Sequence, residues 1–250
     1  MSYPRSLTGR TALVIGGTGA IGAATARLLA MGGATVILTH RPGDARGQAL
    51  LATLPGAGHA ALPADIADTG TLLALRDALA ARHDRLDMLV NAAGFTKPVP
   101  HRDLDALDDA LIDRMLTVNW RGQFAAIRTF APLLKASGDG LVVSLSSIAA
   151  TTGIGSSIAY CAAKAGIDVM TKALARVLAP EVRVLAVAPG VVDTGFVPDR
   201  GADFNAKVAA STPLRRIAAA EDVAAAILAS WTHLGYSTGH TIQVDGGRSL

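Results

Sequence analysis

The chain has one cysteine (Cys161), 4% aromatic residues and only 17% charged residues among its 250. A lone cysteine excludes an internal disulfide and a cysteine zinc cluster; it suits a reducing compartment, and the cytoplasm is the expected location. The six histidines, at 40, 59, 83, 101, 233 and 240, form no His-x-x-x-His pair and have no acidic cluster beside them, so no metal site is expected. No uninterrupted apolar run reaches the roughly 18 residues that would span a bilayer. Met1-Ser2-Tyr3-Pro4-Arg5 lacks the apolar core of a signal peptide. Lys/Arg runs are absent too. The 23 basic residues nearly balance 20 acidic ones, which argues against a nucleic-acid partner despite a pI near 9.3. Without a Gly-x-Ser-x-Gly elbow or a Gly-Lys-[Ser/Thr] sequence, serine hydrolysis and P-loop phosphate transfer are disfavoured.

What the chain does contain is apolar residues (50%) and 26 glycines, enough to exclude disorder and to fill one large core. Short runs rich in Val, Leu and Ile predict strands at Thr11–Gly16, Thr35–Thr39, His59–Leu62, Met88–Asn91, Leu141–Ser146, Val182–Ala188 and Thr241–Val244. Between them, helical spacing predicts helices at Ala20–Met31, Ala45–Thr53, Thr69–Arg82, Leu104–Lys135, Ser156–Leu178 and Ala220–Ser230. Nearly continuous apolar strands are those covered on both faces. Their alternation with helices predicts a single α/β domain over residues 1–250, a Rossmann-type doubly wound parallel sheet. The least regular segment, Gly195–Arg216, is the expected substrate loop or lid.

Thr11–Ile15 runs directly into Gly16-Gly-Thr-Gly-Ala-Ile-Gly22 and then into an Ala-rich helix. Gly17, Gly19 and Gly22 satisfy G-x-G-x-x-G, while Gly16, Gly19 and Gly22 are spaced by three. Backbone must turn tightly here and come close to a pyrophosphate, and the helix aims its free N–H groups at the phosphates. A glycine turn that only packs helix on strand is the bland alternative; the strand–helix context favours the nucleotide. About 20 residues on, where NAD sites place a carboxylate for the ribose 2′-OH, stand His40 and Arg41. A guanidinium there grips a 2′-phosphate, so NADP(H) is the expected cofactor, with NAD(H) as the alternative. Asp65 is placed to accept from the adenine amino group, whereas Asp68 is the better helix cap.

Tyr160 and Lys164 are four apart, on one helix face. A tyrosine titrating near 10 is a poor acid at neutrality. A neighbouring ammonium favours the phenolate, and lowering the value to near 7 needs about 4 kcal/mol. Ser147 lies thirteen residues before Tyr160. At this point the chain resembles the short-chain dehydrogenase/reductase family, from Gly16–Gly22 through Asp65, Asn91–Gly94, Asn119, Ser147, Tyr160 and Lys164 to Pro189-Gly190, Thr194 and the closing Gly239–Gly247.

The resemblance implies that Tyr160 is the acid or base at the carbonyl oxygen and that Ser147 hydrogen-bonds that oxygen. Lys164 would hold the nicotinamide ribose and depress the Tyr160 pKa, and Asn119 would anchor a water relaying protons to Lys164. Cofactor contacts would come from Gly16, Thr18, Gly19, Ala20, Ile21 and Gly22; from Asp65 and Ile66; from Asn91, Ala92, Ala93 and Gly94; and from Pro189, Gly190, Val192 and Thr194. Ala20 stands where the family has glycine, and Leu185 where it has asparagine, a change expected to affect internal fit alone. The reaction implied is hydride transfer between NADP(H) and a ketone/secondary alcohol pair. A 3-oxoacyl-acyl-carrier-protein reductase and a sugar or polyol dehydrogenase are alternatives within the class; outside it, the alternative is a cofactor-binding regulator without catalysis. Phe95, Ile154, Val191 and Phe196 predict a largely apolar substrate. The resemblance also implies a homotetramer paired through Leu104–Lys135 and Ser156–Leu178. Cys161 is expected to be a buried small residue, and Arg215-Arg216 a solvated hinge.

Overall fold

The computed structural model describes residues 3–197 and 203–250. Among them, seven parallel strands form one sheet in the order β3-β2-β1-β4-β5-β6-β7. The strands are β1 (Thr11–Ile15), β2 (Thr35–His40), β3 (Ala60–Pro63), β4 (Met88–Asn91), β5 (Gly140–Leu145), β6 (Val182–Pro189) and β7 (Thr241–Val244). The helices are α1 (Ala20–Met31), α2 (Arg46–Leu51), α3 (Thr69–Ala80), α4 (Asp109–Leu116), α5 (Gly122–Ala136), α6 (Ala149–Thr152), α7 (Ile158–Leu178), α8 (Phe204–Ser211) and α9 (Ala220–Thr232). This is the expected doubly wound, Rossmann-type sheet.

Strand side chains alternate between faces, and both faces here are apolar. Val14, Leu38, Val90, Val143 and Val187 pack under Leu29 of α1 and Ile227 and Trp231 of α9. Their chain neighbours Leu13, Ile37, Leu89 and Val142 face the other way, onto Leu72 of α3, Phe130 of α5 and Ile167 of α7. The sheet is thus the middle layer of three. Leu185 is fully buried in the first of these clusters, as an internal position.

Strand order reverses between β1 and β4, so the loops leaving their carboxyl ends diverge and open a crevice there. β1 stops at Ile15 because Gly16 takes φ +79°, in the left-handed region.

Of the expected helices only Ala20–Met31 keeps its bounds; α2, α3 and α9 shift by one or two residues at their ends, and the larger differences lie elsewhere. Leu104–Lys135 is not one helix. Asp108 starts α4 by accepting a 2.7 Å hydrogen bond from the Leu111 N–H, and a π-helical turn, Thr117–Arg121, separates α4 from α5. Ser157 likewise caps α7, accepting from the Tyr160 N–H at 3.1 Å, so that helix begins at Ile158. α6 was not expected, being a single turn closed by Gly153 at φ +66°. The irregular segment Gly195–Arg216 contains α8, while residues 198–202 of it lie outside the described residues. No helix among the described residues is long and apolar enough to cross a membrane.

Candidate active site

The glycine loop is built by mutual close approach. A Cβ on Gly16 would lie 2.6 Å from the Ala93 nitrogen, so the loops after β1 and β4 touch through bare backbone. Thr39 of β2 anchors the same loop: its hydroxyl accepts from the Gly16 N–H, and its carbonyl from the Gly17 N–H, each at 3.0 Å. Gly19 is extended and no side chain caps α1, whose first-turn N–H groups therefore point into the crevice uncapped. Ala20 and Ile21 open that helix, and the Ala20 methyl is exposed. This cradle, narrow enough that side chains would fill it, fits a dinucleotide pyrophosphate.

A Cβ on Gly22 would stand 2.2 Å from the Gly16 carbonyl oxygen. Gly22→Ala gains up to about 1 kcal/mol of helix propensity, but forcing loop and helix apart costs about 1–3 kcal/mol. The expected net result is a lower melting temperature and a smaller upward shift on adding a nicotinamide dinucleotide. A melt with and without the nucleotide checks both; an unchanged shift would show that the tight approach is not needed.

At the end of β2, His40 packs over Gly47, and its Nδ1 lies 2.9 Å from the Arg41 carbonyl oxygen. Arg41 is exposed. The first carboxylate after this pair is Asp44. Asp44 accepts a two-pronged bond from Arg46 (Nη2 2.7 Å, Nε 2.9 Å) and a 3.3 Å bond from the Thr18 hydroxyl of the glycine loop. The Arg46 side chain and backbone N–H hold the Asp44 carboxyl well below the usual carboxylate range.

Asp65 accepts from the Ala67 N–H at 2.9 Å, and Asp68 caps α3, as expected. Buried Ile66 abuts Gly122, where a Cβ would meet the Ile66 carbonyl oxygen at 2.7 Å; Arg121 also donates to the Ala67 carbonyl at 2.7 Å. The π turn is thereby fixed to the loop after β3. Asn91 is buried and donates to the Ser144 hydroxyl (3.3 Å), while the Ala92 N–H bonds to the Ile15 carbonyl (2.9 Å).

Asn119 is wholly buried in the π turn. Its amide donates to the carbonyls of Phe95 (2.8 Å) and Met115 (3.0 Å), and its Oδ1 accepts from the Phe95 N–H (3.0 Å). The side chain clamps the loop after Gly94.

The end of β5 meets α7 at Lys164, whose carbonyl accepts from the Ser146 hydroxyl at 3.3 Å, and Ser147 follows directly. The Ser147 hydroxyl accepts from the Ala149 N–H at 3.2 Å. Lys164 is 3% exposed; its ammonium donates to the Leu145 carbonyl at 2.6 Å and stands 5.5 Å from the centre of the Tyr160 ring. Burial pushes its pKa down to about 8, opposed by the Asp168 carboxylate. The Tyr160 ring lies 6.2 Å from that of Phe196, tilted by 53°. A second clamp joins the loops around it: the Thr96 and Ser156 hydroxyls are 2.5 Å apart, and the Val99 N–H bonds to the Ser156 carbonyl.

β6 ends at buried Pro189; after it Gly190 abuts Asp245, Val192 bridges to Ala218, and the Thr194 hydroxyl accepts from the Phe196 N–H at 3.4 Å. The residues expected at the nucleotide and catalytic sites thus lie at the last positions of strands (His40, Asn91, Pro189), in the loops that follow them, in the first two turns of α1 and α7 and, for Asn119, in the π turn.

Other candidates fall away. Cys161 is buried against Gly155, and burial raises its thiol pKa, the opposite of activation. Arg216 is paired with Asp222 at the start of α9. No group of His, Cys, Asp or Glu among the described residues is placed to hold a metal.

The family model for enoyl-(acyl carrier protein) reductase matches residues 16–249. A cis-4-hydroxycyclohexanecarboxylate dehydrogenase of Sinomonas cyclohexanicum is 39% identical over 95% of this chain and 96% of that one. A D-threitol dehydrogenase of Mycolicibacterium smegmatis is 35% identical over 75% of this chain and 72% of its own. The crystal structure of a short-chain dehydrogenase/reductase of Brucella melitensis, of the glucose/ribitol dehydrogenase type, superposes with TM-score 0.91 at 29% identity, covering 100% of both chains. With matching sequence, sheet order and crevice, the chain belongs to the short-chain dehydrogenase/reductase family, oxidoreductases of alcohol and carbonyl groups that use a nicotinamide cofactor.

Proposed function

We propose that this oxidoreductase interconverts a ketone and a secondary alcohol with NADP(H), the whole chain working as one unit. The observation that carries the reading is Lys164, a buried ammonium one helical turn from Tyr160 that donates to the Leu145 carbonyl at the end of β5, two residues before Ser147. A structural protein has little reason to bury an amine with its pKa depressed. The nicotinamide supplies the hydride. Ser147 orients the carbonyl oxygen, and Tyr160 gives it a proton in reduction or removes one in oxidation. Lys164 holds the ribose and favours the Tyr160 phenolate. Asn119 keeps Gly94 and Phe95 in place against the substrate.

His40 and Arg41, standing where NAD sites carry an acid, support NADP(H). Phe95, Val191 and Phe196 support a largely apolar substrate; the relative acting on a cyclohexane ring is consistent with it, and the threitol dehydrogenase favours a polyol as the second reading. Exposed Leu116, Trp120, Val169 and Val177 along α4, the π turn and α7 support pairing of these helices in a homotetramer.

Steady-state oxidation of NADPH and NADH against a panel of cyclic ketones, linear ketones and ketoses tests the reading. The expected result is a kcat/KM for NADPH at least tenfold above that for NADH, with hydrophobic ketones preferred. Equal use of both cofactors would overturn the cofactor assignment, and faster turnover of ketoses would overturn the apolar substrate.

A further inference from the structure

Lys164 carries its charge without a charged hydrogen-bond partner. Its ammonium donates to the neutral Leu145 carbonyl, and no ion pair among the described residues includes it. Burial alone drives such an amine toward its neutral form. One turn further along the same face of α7 stands Asp168, at the i, i+4 spacing that brings Cβ atoms to about 5–6 Å. Its Oδ1 accepts from the Thr241 hydroxyl at 2.9 Å, which fixes the carboxylate against the edge strand β7. Asp168 also lines a cavity of about 260 Å³ that reaches Ser147 and is bordered by Lys172 and His240. The cavity gives this carboxylate room for solvent, so the acid stays ionised where the lysine is buried.

We propose that Asp168 is a positioning residue for the reaction: its charge, one turn from Lys164, keeps that ammonium protonated and thereby sets the alkaline limit of activity. The inference rests on the assignment of Lys164 and Tyr160 above. When Tyr160 gives its proton to the carbonyl oxygen it becomes a phenolate, which a charged Lys164 stabilises and a neutral amine does not. Asp168 exchanges no proton itself. It acts through space, in an interior where a charge is felt more strongly than at the surface. Its carboxylate opposes the effect of burial on Lys164. Among the other titratable groups, Tyr160 faces Lys164 from the preceding turn. Lys172 and His240 face Asp168 across the cavity, but both are exposed and therefore screened.

The pH dependence of kcat/KM, with NADPH and the fastest ketone of the panel above, tests the inference. Asp168→Asn keeps an oxygen for the Thr241 hydroxyl and removes only the charge. Its alkaline limb is expected to move down by about one pH unit, which is about a tenfold larger loss at pH 9. Asp168→Glu is expected to restore the limb. Thr241→Val, which frees the carboxylate without removing it, should move the limb the same way by less, and Lys172→Met should barely move it. Thermal melts at pH 7 separate charge from fit: Asp168→Asn is expected to lower the melting temperature of the unmodified protein but not that of Lys164→Met. An equal drop in both backgrounds, or an alkaline limb that stays in place, overturns the inference while the oxidoreductase reading stands. If Tyr160→Phe stays active, the catalytic reading fails, yet a drop confined to the protein with Lys164 still upholds the coupling.

Discussion

Tyr160→Phe is expected to lower kcat by about 10²–10⁴-fold, the usual contribution of a positioned acid or base. The substitution removes one hydroxyl and keeps the ring, so the contact with Phe196 and the approach of Lys164 to the ring survive. NADPH affinity is expected to change by less than threefold, because the glycine loop and the arginines after β2 remain intact. Ser147→Ala should also act on turnover, with less effect, since its hydroxyl orients the oxygen without supplying the proton. Steady-state kinetics beside fluorescence titration of NADPH separates the two quantities. Retention of a tenth of the wild-type kcat by Tyr160→Phe would exclude proton transfer through this residue.

Lys164→Met is expected to sacrifice activity and strengthen the fold. Burial holds the amine at about 8 rather than 10.5, so keeping it charged below pH 8 costs the native state about 3 kcal/mol. Methionine fills similar space without that penalty but gives up the hydrogen bond to the Leu145 carbonyl, worth about 1 kcal/mol. A gain of about 1–2 kcal/mol remains at pH 7, and each kcal/mol raises Tm by about 2–4 °C in a chain of this size. The pH dependence fixes the cause. Between pH 8 and 10.5 the unfolded lysine binds more protons than the native one, so wild-type stability rises with pH across that window, and the advantage of the variant closes. Thermal melts of both proteins from pH 7 to 10 check this. A variant less stable than wild type at pH 7, or a gap that does not narrow, would mean that the lysine is not under strain. The activity loss, expected at 10²-fold or more, should appear in KM for the cofactor as well as in kcat, because Lys164 is assigned to both.

The sheet was legible because its signals are local. Val/Leu/Ile runs can fill both faces of a strand, and five of the seven expected strands shift by a single residue at one or both ends while Met88–Asn91 and Thr241–Val244 stand unchanged. Gly16 and Gly22 could be singled out because what they avoid, a Cβ against neighbouring backbone, is written in the residue type itself. Side-chain partnerships between elements were not legible. Nothing in the loop after β2 marks Asp44 as the partner of Thr18, 26 residues away, and Asn119 gives no sign that Phe95 consumes its amide. The break in the expected Leu104–Lys135 helix was hidden for another reason: Thr117-Val-Asn-Trp-Arg121 has ordinary helical composition, and its π conformation is dictated by contacts with the loop after β3.

That turn has a bearing on how the chain tolerates change in length. The Gly122 N–H reaches back five residues to the Thr117 carbonyl, so the helix carries one residue more than a regular ladder accommodates. Deleting one residue between 117 and 121 would let α4 and α5 fuse into an uninterrupted α-helix, locally more regular than the native one. Each residue of an α-helix turns about 100°, so α4 would rotate by that angle relative to α5, carrying Leu111 and Met115 away from the cluster they share with Val99 and Ala163. A helix improved in isolation would thus cost the enzyme its crevice wall. Loops such as residues 52–58 are expected to absorb insertions and deletions, whereas the length of this turn is expected to be intolerant of either.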